Sequence, residues 1–338
     1  MFTPPETDRT TELADRLMPF GFTERQARFL VTVMLHSGVF MGRHYAAFAG
    51  ITHGQKVHDF VERLLAARFA KAHRLGKTGR TRIFHVYHKP LYAALREPDN
   101  RHRKPMGISR AVERMMLLDA VLLDRDADWL ASERDKWHHF VLRLRDQLRP
   151  EDYPRLFFGT GTETTVRYFP DKLPIGVDMK NGRHIFVFLA TSRTPMDFRQ
   201  FLLRHAELLI ALHRWTIRVI LPRERASLRR VYEAAVYDQL AHPLAHSGGD
   251  EVLESFRRRR EGRRPGRPGA DAPTPGLHTR SGPALTALYR RWLEVGDEVV
   301  SRARSPVLRD VLARGEGEVE CLVLRHRYGH LSALAGTA

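Results

Sequence analysis

TERQARFLVTVMLHSGVFMGRHYAAFAGITHGQKVHDFVERLLAARFAKAHRLGKTGRTRIFHVYH, residues 23–88, changes periodicity partway along, from helical to strand-like. Thr23 is placed to cap a helix, with Gln26 three residues on completing a capping box. Phe29, Leu30, Val33 and Met34 then recur at helical spacing, and Gly38 ends the element. A second, short helix fits 42–49, before Gly50. A third starts after Thr52, whose hydroxyl can cap it, and carries Val57, Phe60, Val61, Leu64 and Leu65 as one apolar stripe. Next come a basic strand at 69–74, a Gly-containing turn at 75–79 and a strand at 81–88, where Ile83, Val86 and Tyr87 alternate imperfectly with polar residues. A helix over 90–95 closes the unit.

Three helices followed by a hairpin is the order of a winged helix-turn-helix, and the short loop around Gly50 suits that motif. Charge coincides with it. Between Lys56 and Lys104 there are thirteen Lys or Arg against four acids, whereas residues 1–55 balance five Arg with five acids. In such a module the first turns of the third helix meet base edges in the major groove. The residues opposite its apolar stripe are Gln55, Lys56, Asp59 and Arg63. Gln pairs bidentately with adenine, and Lys with guanine. Arg43 and His44, at the start of the second helix, are expected on phosphates, and Lys77, Thr78, Arg80 and Arg82 on the backbone or in the minor groove as a wing.

The whole chain of 338 residues is strongly basic, with 56 Lys and Arg against 39 Asp and Glu and a formal net charge of +17. Double-stranded DNA is the first partner that such an excess implies, and an anionic membrane the second. The length fits two or three domains at about 100–200 residues each. A single cysteine, Cys321, excludes an internal disulfide framework and a Cys-rich zinc site. Residues 1–15 are polar and read as neither a signal nor a transit peptide, and no apolar run reaches the length of a membrane span, so a cytoplasmic protein is expected.

Beyond the first unit, 96–107 reads as a basic linker, and 108–124 and 127–148 as two helices, the second capped by Asp126 or Asp128. The apolar helix at 108–124 is the candidate seam of a homodimer. Strands are expected at 156–158 and 164–169, then a hairpin of 173–179 and 183–191 around Asn181-Gly182, a strong turn signal. A helix over 197–213 and a strand over 216–221 follow, and Pro222 opens a helix to about 240. Pro170-Asp171 followed by Asp178-Met179-Lys180 spells a PD…DxK nuclease signature, in which two acids hold Mg²⁺ and the lysine steadies a hydroxide. If Asp171 and Asp178 share one strand, however, about 23 Å separates them. The neighbouring strand offers Ala190, Thr191 and Ser192 where a Glu-x-Lys is needed, so a nuclease-like scaffold without catalysis is expected.

Residues 23–95 and, more loosely, 166–221 resemble replication-relaxation proteins of plasmids and mobile elements. The second match lies in Phe169-Pro170-Asp171, in Phe188-Leu189-Ala190-Thr191-Ser192-Arg193, in the helix that follows, and in the stretch from Trp215 to Pro222. The resemblance implies a winged helix joined to a restriction-endonuclease-like domain, often decayed at its catalytic positions. It also implies a role in replication, transfer or transcription of a mobile element. Family members carry acids where Ala190 and Ser192 stand here, and Arg193 alone matches.

Smaller signals are weaker. Gly159-Thr160-Gly161-Thr162 lacks the lysine of a phosphate loop and reads as a turn. His138-His139 has no metal-ligand spacing, and His205 and Glu207 are expected at the surface. The segment 257–267 holds seven arginines, including Arg257, Arg258, Arg263, Arg264 and Arg267, and Gly266-Arg267-Pro268 is similar to an AT-hook core. Such an arm adds nonspecific DNA affinity.

The expected class is therefore α+β: a lead (1–21), a winged helix (22–96), a basic linker and helical connector (97–150), a mixed α/β domain resembling a degenerate PD-(D/E)xK fold (151–241), a basic flexible linker (242–283) and a C-terminal helical tail (284–338). The expected function is cofactor-free, sequence-specific DNA binding by a regulator or replication accessory factor. The alternative is a Mg²⁺-dependent endonuclease using Asp171, Asp178 and Lys180. A third possibility is a protein that coats DNA without sequence preference.

Overall fold

A computed structural model describes residues 7–75, 81–124, 127–158, 165–245, 248–262 and 282–328. After α1 (Thr7–Asp15), α2 (Glu24–His36) begins at the expected capping box. Thr23 Oγ1 accepts the Gln26 N–H at 3.4 Å, and Gln26 Oε1 accepts the Thr23 N–H at 3.1 Å. Strand β1 (Val39–Phe40), α3 (Gly42–Ala49), α4 (Gln55–Ala66), β2 (Ala70–Leu75), β3 (Thr81–Val86) and α5 (Lys89–Ala94) follow. The strands form an antiparallel sheet in the order β1-β3-β2. Phe29 of α2 is fully buried, with the rings of Phe40, Tyr45, Phe48 and Phe60 centred 5.2–5.9 Å from its own. The α4 stripe of Val57, Phe60, Val61 and Leu64 closes this core. The N-cap of α4 is Gly54, whose backbone is extended, so Thr52 does not cap the helix.

The segment expected to be a linker is ordered against this sheet. His102 is buried, and its carbonyl lies 3.0 Å from His85 Nε2. Helix α6 (Ile108–Leu123) comes next. The long helix expected over 127–148 does not form. Ala127–Leu130 is strand β4, Ser132 and Asp135 make a second capping box, and α7 (Glu133–Trp137) runs on into a wide π turn at His138–Arg143. Pairing with a neighbouring strand, not local propensity, decides the conformation of 127–130.

Strands β5 (Arg155–Phe158) and β6 (Thr165–Tyr168) form a separate two-stranded ribbon. Then β7 (Ile175–Asp178) and β8 (Arg183–Leu189) make the expected hairpin, with Gly182 at φ +68° in its turn. Helix α8 (Met196–Ala211) crosses to β9 (Trp215–Leu221), which is parallel to β8. Helices α9 (Arg229–Val236), α10 (Gly249–Gly262), α11 (Gly282–Val295), α12 (Glu298–Ala303) and α13 (Val307–Ala313) precede β10 (Gly317–Val323). The main sheet runs β10-β9-β8-β7-β4, with parallel pairs β10·β9 and β9·β8 and antiparallel pairs β8·β7 and β7·β4. The protein is thus mixed α+β. Its main sheet draws strands from well outside 151–241, and the expected helical tail supplies an edge strand.

Alternation along β8 explains the layering. Phe186 packs toward α8, whereas Ile185, Val187 and Leu189 pack toward α6. Helix α6 also touches the first unit, through Leu118 on one core and through Val112 and Met115 beside Val39 and Ile83 on another. Its apolar face is interior to the chain, so α6 is not the exposed dimer seam expected from sequence. Helix α10 replaces the start of the expected flexible linker. Val252 and Phe256 are buried against α11, and Arg259 lies 4.6 Å over the Tyr289 ring. No helix among the described residues is long and apolar enough to cross a membrane.

Candidate nucleic-acid interface

The first two turns of α4 present the surface expected to meet DNA. Gln55, Lys56, His58 and Asp59 are all exposed, opposite the buried stripe. Gln55 donates to Asp59 Oδ1 at 2.6 Å, which ties two of the candidate base-reading groups to each other. Arg63 reaches back instead, donating to the Gly21 carbonyl at 2.7 Å and to Gln26 Oε1 at 3.3 Å. That arginine braces α4 against the start of α2. Arg82 stands 3.4 Å from Glu62 and 5.1 Å from the Phe84 ring centre, so part of its charge is already answered. Lys77, Thr78 and Arg80 lie outside the described residues.

Arg43 and His44 do not face outward, which corrects their placement on phosphates. The Arg43 guanidinium pairs with both oxygens of Asp119 on α6, at 2.7 and 3.0 Å, and with the Tyr328 hydroxyl, which itself donates to Asp119. His44 is buried. Its Nδ1 accepts the Met41 N–H at 2.8 Å, so the proton of the neutral ring sits on Nε2, 3.0 Å from Asp119 Oδ1 but off the angle of a good hydrogen bond. Burial pushes the His44 pKa down despite that carboxylate. Burial by itself raises the Asp119 pKa, yet His44 and Arg43 outweigh it and hold the carboxyl well below the usual range. Sequence reasoning missed Asp119 because its partners lie 75 and 76 positions away in the chain.

The nuclease signature is not assembled as its text reads. Asp171 lies before β7, after Phe169 at φ +48°, while Asp178 ends that strand at the hairpin. Asp178 Oδ1 accepts the Lys180 N–H at 2.9 Å, and Lys180 is exposed. Asp171 Oδ1 accepts from Arg204 of α8 at 2.8 Å, and His205 Nε2 stands 3.8 Å from Oδ2. His205 is buried, contrary to the surface position expected, and burial pushes its pKa down to about 4 against the pull of Asp171. Glu207 is half-buried and pairs with Arg302. Lys136, also buried, donates to the Asp171 and Leu173 carbonyls at 2.7 and 2.6 Å, and burial lowers its pKa to about 8. Basic groups therefore surround Asp171. The β7–β8 pairing ends at Ile175↔Phe186, so Asp171 lies outside the sheet, and the position at 190 beyond β8 holds a buried alanine, not an acid. Among the described residues no group of three or more His, Cys, Asp or Glu is arranged to hold a metal.

The arginine run of α10 is helical and engaged. Arg257 pairs with Asp297 at 2.7 Å, Arg258 with Glu254 at 3.1 Å, and Arg260 lies 6.0 Å over the Trp292 ring. Arg263, Arg264 and Arg267 lie outside the described residues, as does 159–162. Comparison with known proteins gives no match of this chain to a family, to a curated protein or to a solved structure.

Proposed function

We propose that the protein is a cytoplasmic, duplex-DNA-binding factor that docks the outer face of α4 into a major groove, beside the β2–β3 hairpin, and does no chemistry on the DNA. One observation carries this reading. The N-terminal turns of α4 leave Gln55, Lys56, His58 and Asp59 exposed while the opposite face forms the core of its unit. The succession α2, β1, α3, α4, β2, β3, with the sheet order β1-β3-β2, supports a winged helix-turn-helix. In this role Gln55 and Lys56 meet base edges, and the excess of cations over 56–104 answers the phosphates.

The main sheet, with α6 and α8 on opposite faces, supports a nuclease-like platform in the manner of the replication-relaxation proteins and hence a role in a mobile element. The capture of Asp171 by Arg204 and the alanine at 190 favour a platform over a catalyst. Two copies bound to a near-palindromic site need a contact surface other than α6.

The test is selection of a preferred duplex from a random pool, followed by footprinting on it. One protected site is expected, weakened about tenfold in Lys56→Ala and relaxed in base preference in Gln55→Ala. Uniform protection without a preferred site overturns sequence-specific reading in favour of a coating role. Mg²⁺-dependent cutting that disappears in Asp171→Ala overturns the non-catalytic reading in favour of an endonuclease.

A further inference from the structure

The hairpin has a second face that the docking of α4 does not use. Register pairs Lys71 with His85 and His73 with Ile83, and these four side chains share the face turned away from the helical core. The chain returns across that face after His102, and a groove of about 720 Å³ opens between the sheet and residues 103–111. Its floor is apolar, with Val39 and Ile83 both buried. Its wall carries the side chains of Lys71, His73 and Arg103, and no acid lines it among the described residues.

The cations are held in place without being neutralised. Lys71 Nζ lies 4.7 Å over the Tyr87 ring, a contact that leaves its charge intact. Arg103 Nε donates to the Pro98 carbonyl at 3.0 Å, which fixes the guanidinium and leaves its terminal nitrogens available. Neither Lys71 nor Arg103 has a carboxylate partner among the described residues. His85 is already engaged with the His102 carbonyl, so it belongs to the frame of the groove.

We propose that this groove binds a small amphipathic organic acid, with the carboxylate between Lys71 and Arg103 and an apolar or aromatic body on the floor. Size decides against the nucleic acid as occupant. The volume lies within the roughly 300–1,000 Å³ of small-ligand pockets, and a duplex about 20 Å across presents its phosphates to convex or open surfaces rather than to such a cleft. Charge complementarity selects the anion, and the dry floor selects a ligand with an apolar body. The inference stands whether or not α4 reads DNA.

Isothermal titration of the full chain with naphthalene-2-carboxylate and with decanoate tests it, and naphthalene-2-carboxamide serves as the neutral control. At least one acid is expected to saturate at one per chain, with the amide about tenfold or more weaker than its acid. Lys71→Gln combined with Arg103→Gln is expected to weaken the acid by a similar factor. Ile108→Glu, at an exposed position lining the groove, is expected to do the same by placing a like charge at its mouth. Unchanged thermal unfolding of these surface variants shows that the fold persists. Absence of acid binding at about 1 mM overturns the proposal, as does equal affinity for acid and amide, or indifference to all three substitutions. Binding of a short duplex that competes with the acid and weakens as much as the acid does in Lys71→Gln with Arg103→Gln also overturns it and assigns the groove to nucleic acid.

Discussion

Gly38 shows how much of this fold turns on single residues. It sits at φ +73°, and a Cβ built there would stand 2.3 Å from the His102 carbonyl oxygen. Gly38→Ala therefore combines left-handed backbone strain with a backbone clash and is expected to destabilise the protein by about 2–4 kcal/mol, read by urea unfolding. The sequence marked Gly38 as a helix stop, which it is, but the close approach of the linker was invisible because residue 102 lies far along the chain. The same limit explains Arg43 and His44. Their types and position suit phosphate contact, and only the tertiary arrangement supplies Asp119 and Tyr328. Gln55, Lys56 and Asp59 were legible as exposed because helical periodicity alone sets them opposite Val57, Phe60 and Val61.

Among elements, α6 packs against both the first unit and the main sheet, and Asp119 anchors it ionically to α3. Asp119→Asn keeps the shape and removes the charge that Arg43 and His44 face. An expected loss of about 2–3 kcal/mol follows for this partly buried group, measured by chemical denaturation. Helices with a capping signal or a clean stripe, such as α2 and α4, were readable within a residue or two. The stretch 127–148 was not, because Trp129 and Leu130 join a sheet whose other strands start nearly fifty residues later. Likewise Arg257 and Arg258 look like a solvated arm in composition, whereas Val252 and Phe256 on the opposite side of the same helix bury it. The tail, read as helical, contains β10, whose partner β9 lies about a hundred positions earlier in the chain, beyond the reach of local pattern.

For the whole molecule, acid should be more damaging than alkali around neutrality. His139 and His184 are buried with their Nε2 atoms 2.9 Å apart, and burial lowers their pKa values to about 3 and about 4, while that of His205 falls to about 4. In the unfolded chain each titrates near 6.5. The unfolded state thus binds more protons between about pH 6.5 and 4, and stability falls as pH drops through that window. Replacing His205 by Gln is expected to lower proton uptake on unfolding by about one, checked by denaturant midpoints across this pH range. The proposed association with DNA gives a second whole-molecule quantity. If four to six cations reach phosphates, log K falls against log salt with a slope of about −4 to −5, and a flat plot contradicts electrostatic docking.

Because α6 is wedged between the α4-bearing unit and the main sheet, the two are not beads on a string. If α4 docks in a groove as proposed, the angle it takes fixes the compass bearing of the sheet around the duplex axis. On that proposal two copies on adjacent sites would keep their platforms in helical phase, and inserting about half a turn of base pairs between the sites would swing one platform to the far side of the DNA.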